Sequence, residues 1–127
     1  MPRYSKTNLA EVDDSAAGRD GIEARFGRKH LNSTELGVSL FRYAAGYRSE
    51  TGHHHKVQEE AYVVVGGAGR MRLDDEIVEL RRWDAIRVAP GVVRGFEAGP
   101  EGLEIVAVGG SKPEGGDGVP VENWWTD

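Results

Sequence analysis

Residues 36–108 are a succession of short extended runs separated by turn residues, and that rhythm narrows the fold more than any other feature of the chain. Residues 38–43 alternate and read as a strand, ended by Ala44-Ala45-Gly46. Residues 53–55 open the next extended segment. Residues 61–65, Ala-Tyr-Val-Val-Val, form the continuous β-branched and aromatic run of a strand buried on both faces. Residues 70–73 alternate, Asp74-Asp75 turn the chain and residues 77–80 return, which is the pattern of a β-hairpin. Residues 84–88, a turn at Pro90-Gly91, and residues 92–97 and 103–108 complete the series. Turn signals recurring about every 8–12 residues predict an all-β sandwich or barrel, and the 18 glycines suit its tight turns.

The flanks differ in character. Residues 1–30 form an N-terminal arm, of which 1–21 are polar with little structure of their own, while 22–31 fit either a short helix or an edge strand. Residues 111–118 are Gly-rich and read as flexible, at the start of a C-terminal tail (111–127) that carries Trp124 and Trp125. With a barrel core at about 36–110, the 127 residues make one domain. That is enough chain to fold around a core without disulfides, and there is no cysteine. The formal charge of −5 is spread without a basic block, which argues against a general nucleic-acid binder. No run approaches the ~18 apolar residues of a membrane span, and the first residues lack a signal peptide's apolar stretch. A cytoplasmic protein is therefore expected. Trp83, Trp124 and Trp125 are expected to be buried, the terminal pair against its own barrel or across a dimer interface.

The chemistry concentrates in residues 52–67. His53 and His55 are two apart, so on an extended segment both imidazoles project from one face and His54 from the other. Glu60, brought round by a hairpin, would add a carboxylate. Two imidazoles and one carboxylate hold a divalent metal on one side and leave the other open. Fe, Mn, Ni or Zn would suit such a set.

In these residues the chain resembles the small single-domain members of the cupin superfamily. That superfamily's first motif is a glycine, a short spacer, His-x-His, three or four residues, Glu, six residues and Gly. Gly46, His53, His55, Glu60 and Gly67 fit it, and Glu59 with Gly66 fits the three-residue variant. The second motif matches in part: Trp83 stands at its first glycine, Ala89 at its proline, Arg94 at its histidine and Ala98 at its asparagine, with Gly91 retained. Over residues 36–110 the resemblance implies an antiparallel β-barrel, a double-stranded β-helix or jelly roll, that forms a homodimer. It also implies a metal held by His53, His55 and Glu60, with the family's third histidine replaced by an inward-facing Arg94. Two roles for Arg94 stay open. It could bind the carboxylate or phosphate of a small anionic ligand beside the metal, or pair with Glu59 or Glu60 in a metal-free barrel. Glu59, if not a ligand, would serve as the catalytic base, and Gln58 and Tyr62 would contact the ligand. The expected function is a divalent-metal protein for a small anionic molecule, open to oxygenase, isomerase or lyase chemistry. The alternative is a non-catalytic binding module.

Overall fold

The computed structural model describes residues 3–127. In chain order the elements are β1 (Ile22–Phe26), α1 (Arg28–Leu31), β2 (Gly37–Tyr43), β3 (Gly52–His55), β4 (Glu60–Leu73), β5 (Glu76–Leu80), β6 (Ala85–Val88), β7 (Arg94–Gly109) and β8 (Gly118–Val121). All the strands belong to one antiparallel sheet that curls on itself into a jelly-roll barrel. Its spine is β7. The second half of β7 pairs with β2, from Leu103 opposite Tyr43 to Gly109 opposite Gly37. The other edge of β7 pairs with β4, and Arg94 at its start lies opposite His53 of β3.

The hairpin predicted at 70–80 is present as β4 and β5. Two pairs of runs that read as separate strands, 61–65 with 70–73 and 92–97 with 103–108, are instead two long strands bent part-way. The β4–β7 register shifts between Val64 and Gly66 and again between Gly67 and Gly69. Gly67 sits at φ +66°, and a Cβ there would lie 2.1 Å from the Gly102 carbonyl oxygen, so only glycine permits the crossing. Opposite the bend, the β7 residues between Ala98 and Leu103 have no partner on β4. Pro100, which lacks an N–H, therefore removes no ladder bond there.

Inward residues of β4 and β7 make the core, with Tyr62, Val64 and Met71 packed among Phe96, Leu103 and Ile105. Each such burial stabilises by roughly 1.5–3 kcal/mol. Only one face of residues 61–65 is fully buried, however. Ala61, Val63 and Val65 are half-buried, because β6 and β7 flank that strand at its edges and nothing covers its outer face completely.

Both flanks are more ordered than their composition suggests. In the arm, Val12 and Ala16 are buried, and the Asp14 carboxylate accepts from the N–H groups of Ala16 and Ala24, each at 2.9 Å. Residues 22–31 supply both of the alternatives read from sequence, an edge strand on β2 and then one helical turn ended by Asn32 at φ 54°. The tail returns as β8 on β3. Trp124 and Trp125 dock on their own barrel, with the Arg72 and Arg48 guanidinium groups each 4.4 Å from the respective ring. The indole of Trp125 also donates to the Ser49 carbonyl at 2.8 Å. Trp83 departs from expectation. It is 66% exposed, holds φ +77° in the turn before β6, and has the Arg82 guanidinium over its ring, 5.0 Å away. No helix among the described residues is long and apolar enough to cross a membrane.

Candidate metal centre

Strand alternation on β3 turns His53 and His55 into the barrel, and Glu60 faces them from the first position of β4. One ligand atom from each of these three residues lies within 4.8 Å of the others. They line a cavity of about 860 Å³ whose wall includes Phe41, Tyr43, Tyr47, Tyr62 and Phe96.

Asp117 organises the donors. Its Oδ2 accepts from the N–H groups of Val57 and Gln58, each at 2.8 Å, and its Oδ1 lies 2.8 Å from Nδ1 of His55. Burial pushes the Asp117 carboxyl up, but those two N–H groups and the His55 ring together outweigh it, so the group is held well below the usual carboxylate range. A permanent carboxylate at that distance requires a proton on Nδ1, which leaves Nε2 of His55 as the free lone pair. Nε2 in turn lies 3.0 Å from Oε1 of Glu60. Two lone-pair atoms at that separation need a cation between them, either a second ring proton or a metal. His53 supplies a second imidazole that is already neutral. Burial, and next the Arg94 guanidinium, lower its pKa from 6.5 to about 4.

Glu60 is held from two further sides. The Tyr62 hydroxyl donates to Oε1 at 2.5 Å, and Nη1 of Arg94 approaches the same oxygen at 3.5 Å. Burial, then the Glu60 charge, raises the Tyr62 pKa well above that of an ordinary phenol, so it remains a donor. Taken together, the donor set fits a divalent ion: a neutral His53, an oriented His55 and the carboxylate side chain of Glu60.

The four other candidate positions have unlike surroundings, and Arg94 takes the second of its two open roles by pairing with Glu60. Glu59 does not enter the cavity. It lies one residue before the start of β4, is exposed, and pairs with Arg87 at 2.8 Å, which leaves Glu60 as the inward carboxylate. Arg94 is fully buried but does not line the cavity; it backs Glu60 and donates through Nη2 to the Ala89 carbonyl at 3.2 Å. Its Nε has no hydrogen-bond partner among the described residues. Gln58 does line the cavity, but its amide donates to the Gly110 carbonyl at 3.0 Å. The proton of the Tyr62 hydroxyl is committed to Glu60. Asp117 escapes a reading of the sequence, since it falls in the Gly-rich stretch taken as flexible. The one local signal is an acidic residue immediately before the extended residues 118–121.

A family model described as Cupin domain matches residues 39–109. No curated protein sequence matches the chain. Among solved structures, a cupin protein from Bacteroides fragilis is similar at 25% identity and TM-score 0.73, over 87% of this chain and 86% of that one. A protein titled sugar phosphate isomerase from a cupin superfamily, from Silicibacter pomeroyi, is 21% identical with TM-score 0.72, over 86% and 77%. Oxalate decarboxylase from Bacillus subtilis is 22% identical with TM-score 0.75; 90% of this chain corresponds to 31% of that one. The last two likenesses concern the fold.

Proposed function

The chain belongs to the cupin family, and from the donor set inside its barrel we propose that it holds a divalent transition metal (Fe, Mn, Ni or Zn) on His53, His55 and Glu60, with a small anionic molecule in the cavity beside it. The observation that carries the reading is the 3.0 Å approach of His55 Nε2 to Glu60 Oε1 while Asp117 occupies the opposite ring nitrogen. Bound there, a divalent ion would supply Lewis acidity or oxygen chemistry, which keeps oxygenase, isomerase and lyase reactions in view. The chain's own residues do the rest. Asp117 fixes the His55 tautomer. Tyr62 and Arg94 hold the Glu60 side chain in place from two sides. The aromatic side chains Phe41, Tyr43, Tyr62 and Phe96 give the cavity an apolar wall beside these groups.

A second reading rests on Arg94. Its guanidinium, 3.5 Å from Glu60, already neutralises the carboxylate, which supports a metal-free module that binds small molecules. Elemental analysis of untagged protein separates the two. Roughly one equivalent of transition metal per chain is expected. Less than about a tenth of an equivalent after reconstitution overturns the metal reading.

A further inference from the structure

The two ends of the cavity are chemically unlike. Inward residues along β2 run Gly37, Ser39, Phe41 and Tyr43. At the Tyr43 end the surfaces are aromatic: the Tyr43 and Tyr47 rings stack at 5.3 Å with an interplanar angle of 3°, and Phe96 stacks on Tyr43 at 5.9 Å. At the Gly37 end the floor is small, and Arg28 and Lys29 from α1 join Lys112 from the tail in the wall.

Among the described residues none of these three cations has a carboxylate partner; the ion pairs of the protein lie elsewhere. Arg28 donates only to neutral carbonyls, those of Glu35 at 3.3 Å and Gly110 at 2.9 Å. Glu35 turns its own carboxylate to the Ser111 hydroxyl. By contrast Arg19, also in the cavity wall, is tied to Glu50 at 3.3 Å. The chain carries a net charge of −5, yet three cations without counter-ions gather at one end of its large cavity. Low-dielectric walls concentrate such a field inward.

We propose that this end seats the anionic group of a small aromatic acid, whose ring lies along Phe41 and Tyr43; because Gly109 pairs with both Gly37 and Glu60, it is the anionic end of the molecule that faces the His53–His55–Glu60 centre. The anion-binding role, one of the two open to Arg94, thus passes to Arg28, Lys29 and Lys112. Flat apolar faces favour a ring over a fully hydroxylated chain, and cations at one end favour an acid over its amide. The inference rests on the metal-centre reading only for where the reacting end lies.

Binding to the 127-residue chain is measured by calorimetry with phenylacetate, its neutral amide, phenyl phosphate and the ringless acid gluconate, and the metal content of each sample is recorded. Phenylacetate or phenyl phosphate is expected to bind roughly tenfold more tightly than the amide or gluconate, and the preferred one of the two identifies the anion. The double variant Lys29→Glu/Lys112→Glu is expected to erase the preference for acid over amide, read as the ratio of the two affinities. Neither lysine side chain makes an ion pair within the fold, and Lys29→Gln/Lys112→Gln gives a milder version of the same test. Equal affinity for acid and amide, a preference that survives charge reversal, or tighter binding of gluconate would each overturn the assignment. Charge preference in metal-stripped protein supports it even if the metal reading fails. A full equivalent of metal without charge preference overturns it and leaves the metal reading standing.

Discussion

Replacing Asp117 with asparagine tests the centre through its support. The native carboxylate takes three donors: Val57 and Gln58 N–H at Oδ2 and the His55 ring at Oδ1, all at 2.8 Å. An amide has one acceptor oxygen. Two fixed backbone N–H groups claim it, so the amide NH2 turns to His55. Nδ1 must then accept, and the ring proton moves to Nε2, where it donates to Glu60 Oε1 across the same 3.0 Å. The lone pair needed for metal is gone. Loss of such a support weakens metal binding by about 10–100-fold. Folding stability changes less. Charge-assisted bonds become neutral ones, a loss of about 1–3 kcal/mol. Competition against a chromogenic chelator reads the affinity, urea unfolding reads the stability, and nitrogen-15 chemical shifts of His55 read the tautomer. A well-folded Asp117→Asn protein that binds metal as tightly as the parent would refute the tautomer argument.

Three further outcomes are expected. His53 is neutral in the fold down to pH about 4, whereas the unfolded chain protonates it near 6.5. The stability of metal-free protein should therefore be full above 6.5 and fall by up to about 3 kcal/mol as the pH drops toward 4; His53→Gln should flatten that slope in urea midpoints, and an unchanged slope would assign it to another group. Arg94→Met should destabilise the metal-free protein by about 3 kcal/mol, because Glu60 loses its buried counter-charge, yet tighten metal binding by removing a cation 3.5 Å from a ligand oxygen; weaker metal binding would show that Arg94 supports the centre rather than opposing it. Gly67→Ala should cost more than about 2 kcal/mol in thermal or urea unfolding, since it forces a Cβ onto the Gly102 carbonyl at a positive φ; a neutral result would mean that the bend relaxes.

The barrel was legible because the period-two alternation of β2 and the turn residues of the 70–80 hairpin are local signals. His53, His55 and Glu60 were legible for the same reason, lying within eight residues of one another. Glu59 misled because choosing between adjacent acids depends on where β4 starts, and a one-residue shift exchanges inside for outside. Asp117 was hidden by distance. It lies 62 residues from His55 and reaches it only through β8–β3 pairing, in a strand containing Pro120 and preceded by glycines. The position of Arg94 was readable, but its depth was not. Whether a guanidinium faces a cavity or stands behind a carboxylate depends on packing from β4, and no spacing encodes it. Trp83 shows a limit of composition: a large ring was expected inside, but no element covers its turn.

The candidate metal donors lie within residues 39–109 together with Tyr62 and Arg94, which hold Glu60, whereas Asp117, which orients His55, and the cavity cations Arg28, Lys29 and Lys112 come from the two flanks. That division makes the molecule modular. Exchanging its ends for those of another barrel would retune ligand preference and donor geometry together while leaving the coordinating side chains untouched, and the same scaffold could thereby be turned to a different task.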